Sequence, residues 1–160
     1  MKLIVTFSAI VAVISCLAFT GGGGVKEFDP VQSHEDSLAQ DRAFYVQQIQ
    51  DAIKGKEDLP VDSVFKNLKY IGGFKAGMLP RIMGKWSEAI GVSCNHCHVT
   101  GKWALDDKPA KNIARQMAEL SSKINKDLVK IEGLEDRKPV VNCTTCHRGQ
   151  LKPAFNLEQK

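Results

Sequence analysis

The 160-residue sequence predicts a mainly α-helical domain with little or no β-structure. In four segments the apolar residues recur at the three- and four-residue spacing of an amphipathic helix. Glycines, prolines and charged residues separate these segments, as expected of loops. Only Val140-Val141 has the composition of a strand. Aromatic residues make up 7% of the chain, so its own side chains would build only a small core.

The first two helices are predicted before residue 75. One covers residues 33–53, opens with a capping-box pattern at Ser33, and ends before Gly55. Its apolar positions are Leu38, Phe44, Tyr45, Ile49 and Ile53. A shorter helix is predicted over residues 62–71, with Asp62 as its N-cap and two glycines after its end.

Two longer helices follow. One is predicted over residues 76–90, because proline is tolerated in a first helical turn and Gly91 lies just beyond the end. Its buried face should contain Leu79, Ile82, Met83, Trp86, Ala89 and Ile90. The other opens at a proline and covers residues 109–131. Its apolar stripe is formed by Ile113, Met117, Leu120, Ile124 and Leu128.

The N-terminus resembles a secretory signal, because a single lysine precedes an apolar run within residues 1–20. Cys16 lies in a sequence like a lipoprotein box and could carry a lipid, or the run could remain as an uncleaved membrane anchor. Residues 21–32 then predict a flexible glycine-rich tether, and residues 33–160 one folded domain. We therefore expect an exported protein, periplasmic or anchored on the outer side of the cytoplasmic membrane.

A five-residue motif, Cys-X-X-Cys-His, occurs at residues 94–98 and again at 143–147. It is the attachment signature of c-type haem, in which two thiols bond the porphyrin edge and the next histidine binds the iron. The pattern predicts two covalently attached haem c groups. The thiols would be those of Cys94, Cys97, Cys143 and Cys146, and the iron ligands His98 and His147. The alternatives are a zinc site, a thioredoxin-like redox pair or a disulfide framework, which leave the two histidines unexplained.

The arrangement of helix, connection and motif occurs twice, in units of about residues 76–100 and 109–149. Each motif has a valine two residues before its first cysteine and a glycine soon after its histidine. We interpret this as an internal duplication of a haem-binding unit.

The ligand on the opposite face of each iron decides between electron transfer and chemistry at an open site. Met83 precedes His98 by 15 residues, and Met117 precedes His147 by 30. Both are candidate sixth ligands, with Met78 in reserve, although a helical methionine more often fills core space.

Other side chains have weaker assignments. His34 and His96 are not expected to bind iron, and Trp103 could pack on a porphyrin or close its pocket. The candidate partners for the haem propionates are Lys102, Lys108, Arg148 and Lys152.

Residues 64–155 resemble the cytochrome c subunit family of photosynthetic reaction centres. The resemblance lies in Ile82-Met83, in Gly91-Val92-Ser93 with the first motif, in the second motif through Gly149, and in the segments 64–68, 106–109 and 114–117. It implies a multihaem cytochrome c domain with helices packed around the haems, and methionine ligation by Met83 opposite His98 and by Met117 opposite His147. Well-known members attach four haems, whereas this chain has two motifs. The family also includes a haem with two histidine ligands.

These features predict an electron carrier and not an enzyme, similar to reaction centre cytochrome subunits in photosynthetic electron transport. Its partners would be redox proteins, which could include a membrane complex. The alternatives are a peroxidase-like haem enzyme and a redox or gas sensor with one open haem. Nucleic acid is not an expected partner, because the net charge of +4 comes from interspersed charges without a basic block.

Overall fold

The computed structural model describes residues 30–134 and 137–154. The expected signal, Cys16 and nearly all of the tether therefore lie outside the described residues. Five α-helices and two 3-10 turns are present within them. The helices are α1 (Pro30–Ala52), α2 (Val61–Val64), α3 (Leu79–Ala89), α4 (Pro109–Leu128) and α5 (Cys143–His147), and the 3-10 turns are Ala76–Met78 and Cys94–His96.

The mainly α-helical class is confirmed. Residues 30–134 and 137–154 contain no strand, and the strand considered at Val140-Val141 is irregular backbone. One isolated antiparallel bridge pairs Pro60 with Lys75. No helix within these residues is long and apolar enough to cross a membrane.

Helices α1 and α3 form the centre of the fold. They approach closely at Gly84 of α3, where a Cβ atom would lie 3.2 Å from Cγ2 of Val46 in α1. Few apolar side chains are buried in the part of the chain that the structure describes. They lie in α3, in the segments before it and directly after α1: Ile53, Val61, Ala76, Leu79 and Ala89. Such a small protein core is what the low aromatic content predicted.

The second helix is shorter than predicted, ending at Val64 instead of residue 71. Asn67 and Lys69 have φ values of 61° and 45°, in the left-handed region that a helix cannot include. The Asn67 side chain donates to the carbonyl oxygen of Ala104 at 2.6 Å and to Oδ1 of Asp106 at 2.9 Å. These long-range contacts hold the segment as a loop. Asparagine also tolerates the left-handed conformation better than most residues.

The two longer helices form close to their predicted positions. The segment predicted as residues 76–90 begins with a 3-10 turn before α3, and α4 ends at Leu128 instead of residue 131. The two buried residues of α4 are Lys111 and Arg115. On the stripe predicted from the apolar spacing, Ile113 is 59% exposed and Leu120 is 49% exposed. The buried face of α4 is therefore a different face from its apolar stripe.

Candidate functional site

A cavity of about 680 Å³ lies between α1, the loop after α2, α3, the first motif and the start of α4. This volume is within the usual range for pockets that bind cofactors or other small ligands. Cys94, Cys97 and His98 of the first motif line it, and so does Met83 of α3. The structure thus brings together four of the predicted site residues, which come from two different elements.

The first motif is held by the C-terminal end of α3. The amide of Val92 donates to the carbonyl oxygen of Ser87 at 3.1 Å, and the Ser87 hydroxyl donates back to the Val92 carbonyl at 2.5 Å. Arg42 of α1 also donates to this carbonyl, at 3.3 Å, and pairs with Glu35. These bonds orient the short segment between α3 and Cys94.

The ring of His98 is oriented by its own loop. Its Nδ1 atom lies 3.1 Å from the carbonyl oxygen of Trp103. A carbonyl can only accept, so Nδ1 carries the proton and Nε2 has a free lone pair. Burial and the nearby charge of Lys111 lower the pKa of His98, which favours the neutral imidazole that binds metals.

The motif thiols differ from those of a redox pair. Burial raises the pKa of the Cys94, Cys97 and Cys143 thiols, and the carboxylate of Asp41 raises that of Cys94 further. A reactive redox cysteine needs a lowered pKa instead, because the thiolate is the nucleophile. All four motif cysteines are free of disulfide bonds. The raised pKa of these thiols disfavours the thioredoxin-like alternative.

Aromatic rings close one side of the cavity. The Trp103 ring meets the His98 ring edge-on at 5.6 Å between centroids, and the Tyr45 ring of α1 at 5.5 Å. Trp103 lines the cavity, as its sequence position suggested. These contacts fix the wall beside the histidine without supplying a further iron ligand.

The charged side chains that line the cavity are all cationic: Lys66, Lys102, Lys111 and Arg115. Lys111 donates to the carbonyl oxygens of Trp103 and Leu105 at 2.9 and 2.6 Å. Arg115 donates to Asp106 at 2.8 Å and to the carbonyl oxygen of Asn67 at 2.7 Å. Two buried cations beside an apolar cavity are costly unless they have such partners.

Asp106 is the carboxylate that balances this cluster, although it does not line the cavity. Its oxygens contact Lys111 at 3.3 Å and Lys69 at 3.0 Å, in addition to Asn67 and Arg115. Hydrogen bonds from Asn67, Lys69 and Arg115 hold the pKa of Asp106 far below its usual value. The residue joins the loop after α2 to the start of α4.

The second motif forms α5, outside this cavity. Asn142 caps it, accepting from the Thr145 amide at 3.1 Å, while the Thr145 hydroxyl accepts from the Asn142 amide. Asn125 of α4 binds both the amide and the carbonyl of Val141 at 2.7 Å. The motif is thereby fixed against α4.

The ring of His147 has the same kind of hydrogen bond as that of His98. Its Nδ1 atom lies 3.1 Å from the carbonyl oxygen of Gln150, which leaves Nε2 free. Met117 is 41% exposed on the stripe of α4 and Cys146 is exposed on α5. The structure encloses the first set of predicted ligands in a cavity, but it does not enclose the second set.

The remaining candidates lie away from the cavity lining. Met78 is 49% exposed in the 3-10 turn before α3, and His34 is exposed on α1. Of the four predicted propionate partners only Lys102 lines the cavity. Lys108 donates instead to the carbonyl oxygen of Asn95. Within residues 30–134 and 137–154, no three His, Cys, Asp or Glu side chains are placed to share a metal ion. The two cysteine pairs thus do not form the four-thiolate zinc site.

The sequence patterns did not indicate three residues of the site: Lys111, Arg115 and Asn125. Charged side chains are usually solvated, and the four-residue spacing of Lys111 and Arg115 on α4 is typical of an exposed helix face. Arg115 lies in segment 114–117, which is part of the family resemblance. That resemblance is the sequence feature that could have indicated its role. Asn125 had no signal, because its partner Val141 is 16 residues away.

The sequence also matches known proteins over most of its length. Residues 18–157 match the family model of the photosynthetic reaction centre cytochrome c subunit. The reaction centre cytochrome c subunit of Thermochromatium tepidum is 34% identical over 94 residues, covering 58% of this chain and 22% of the relative. Its counterpart from Rubrivivax gelatinosus is 28% identical over 88 residues, covering 48% of this chain and 24% of the relative.

Cytochrome c-554 of Chloroflexus aurantiacus is 30% identical over 83 residues, covering 51% of this chain and 20% of the relative. The matched parts thus span between a fifth and a quarter of these relatives. The family model, in contrast, covers far more than half of this chain. The chain therefore belongs to the photosynthetic reaction centre cytochrome c subunit family.

Proposed function

We propose that the protein is a two-haem c-type cytochrome that carries single electrons between redox proteins outside the cytoplasm. The observation that carries this proposal is the shared cavity of Cys94, Cys97, His98 and Met83. It combines two thiols, a histidine with a free Nε2 atom and a thioether in one apolar space. This donor set fits a covalently bound haem with histidine and methionine ligands.

In the first site, Cys94 and Cys97 would hold the haem, and His98 and Met83 would bind its iron. Haem iron supplies reversible one-electron oxidation and reduction when it is bound. The Trp103 carbonyl fixes the tautomer and ring direction of His98. The cations that line the cavity, with Lys111 and Arg115 most buried, would pair with the propionates and favour the reduced state.

In the second site, Cys143 and Cys146 would hold the haem, and His147 and Met117 would bind its iron. The exposed apolar stripe of α4 supports this assignment, because an apolar face beside α5 needs a cover. We propose that a haem attached to α5 covers it, with Met117 as the sulfur ligand. The bond from His147 to the Gln150 carbonyl prepares Nε2 for iron, as in the first site.

Electron transfer is preferred over a peroxidase-like enzyme for a reason visible in the cavity. Both proposed iron ligands, His98 and Met83, line it, and its histidine is the residue of the attachment motif. A peroxidase-like reaction needs a positioned acid or base near an open iron face. The family membership supports the carrier as well. By analogy with the named relatives, the partners would include a photosynthetic reaction centre or another membrane redox complex.

The test is to purify the mature protein from a host that attaches haem c, and to measure mass and optical spectra. We expect two haems per chain, and low-spin spectra for both that do not change with carbon monoxide. A high-spin haem that binds carbon monoxide would favour the enzyme or the sensor. The mass would also determine whether residues 1–20 are removed and whether Cys16 carries a lipid.

A further inference from the structure

The backbone after the second motif touches the backbone that leads into the first. The amide of Gly149 donates to the carbonyl oxygen of Ala89 at 2.9 Å. A Cβ atom on Gly91 would lie 1.9 Å from the carbonyl oxygen of Gly149, which is far too close for any residue except glycine. We call this contact between Ala89, Gly91 and Gly149 the glycine joint.

The joint lies close to the predicted iron ligands in sequence. Gly91 is three residues before Cys94, and three residues reach at most about 11 Å. Gly149 is two residues after His147. Both glycines have positive φ values, 64° and 81°, so each backbone turns sharply at the contact.

Gln150 connects the joint to the iron ligand of the second motif. Its amide donates to the carbonyl oxygen of His147 at 2.9 Å, and its carbonyl accepts from Nδ1 of the same residue at 3.1 Å. The group that orients the His147 ring is therefore one residue beyond a backbone held by α3. In the first motif the orienting carbonyl is that of Trp103, which also accepts from Lys111 of α4, so it is not held by the second motif.

We propose that Gly91 is a positioning residue for His147, and that the segment leading into the first motif thereby sets the potential of the second haem. The inference rests on the proposed two-haem function. A side chain at position 91 would push Gly149 and Gln150 away and weaken the bond to Nδ1. A histidine without this bond is a less basic ligand, which stabilises ferric iron less and raises the potential.

The test is Gly91→Ala in the holoprotein, with Gly55→Ala as the matched control. Gly55 has a φ of 80°, yet nothing lies within 4 Å of a Cβ atom placed there. Both variants suffer the backbone strain of alanine at positive φ, but only Gly91→Ala disturbs the joint. The readouts are a redox titration and the haem-methyl signals in the NMR spectrum of the ferric protein.

Trp103→Phe identifies the signals of the first haem, because this ring lies against His98. We expect Gly91→Ala to raise the potential and shift the methyl signals of the other haem, while Gly55→Ala leaves both haems unchanged. The inference is wrong if the second haem keeps its potential, if only the first haem changes, or if both variants act alike.

Two further measurements cover the remaining outcomes. If Gly91→Ala does not fold, hydrogen exchange of the wild-type holoprotein tests the glycine joint. We then expect the Gly149 amide to exchange slowly, because it is hydrogen-bonded to Ala89. Fast exchange of this amide overturns the inference. Mass spectrometry separates the two proposals. A single haem per chain contradicts the two-haem function and the inference with it, whereas two haems with an unaffected second potential contradict the inference alone.

Discussion

The Nδ1 atom of His98 donates to the main-chain carbonyl of Trp103 over 3.1 Å. The same carbonyl accepts from the buried Lys111. One carbonyl therefore links the predicted iron ligand of the first motif to the cationic wall of its cavity. The ring cannot turn without losing a bond, so its Nε2 atom is presented in a constant direction.

Met83→Ala is expected to lower the potential of the first haem only. A thioether favours ferrous iron, so its removal favours the ferric state and opens a coordination position. Redox titration and carbon monoxide binding measure the two effects. Met78→Ala is the control, since Met78 is exposed and does not line the cavity. Equal effects of the two variants would remove Met83 from the ligand set.

Met117→Ala is expected to change the second haem to a high-spin form that binds carbon monoxide. Met117 lies on the exposed stripe of α4, beside the element that carries His147. Ile113→Ala is the control, because it shortens another exposed side chain on the same stripe without removing sulfur. If Met117→Ala keeps two low-spin haems, the sixth ligand of the second iron is another residue.

Arg115→Gln is expected to lower the potential of the first haem. Removing a buried positive charge from the cavity wall stabilises ferric iron relative to ferrous iron. The low local dielectric enlarges this effect. We expect a shift on the order of tens of millivolts, where about 59 mV is a tenfold change for one electron. Lys123→Gln on the exposed part of α4 is the control. An equal shift in that variant would argue against a local effect.

Asp106 is expected to make the fold sensitive to acid. Asn67, Lys69 and Arg115 lower the pKa of Asp106 in the folded state. The carboxylate therefore stabilises the fold at pH values above its pKa in the unfolded chain, which is about 3.9. That contribution is lost as the pH falls from there toward the folded value.

The measurement is urea unfolding of the holoprotein and of Asp106→Asn, at pH 7 and at several values below 4. The variant should be the less stable at pH 7, and the difference should shrink as the pH falls. The exposed neighbour provides the control, Asp107→Asn. A stability difference that stays constant across this range would contradict the assigned role of Asp106.

The sequence predicted the helices well where their periodicity was strong. Residues 109–131 and 76–90 were expected to be helical, and α4 and α3 lie within them. The prediction failed over residues 62–71, since Asn67 leaves the helix to bind Ala104 and Asp106, 37 and 39 residues away. Local patterns carry no information on such long-range hydrogen bonds.

The sequence by itself determined the attachment motifs and their order, because the spacing of two thiols and a histidine is a local covalent requirement. It also indicated Met83, which tertiary structure placed in the cavity with His98. Only the tertiary structure decided that Lys111 and Arg115 face that cavity, and that Gly149 docks on Ala89. Burial of a charge and close backbone contact depend on residues distant in the chain, since both arise from packing between elements.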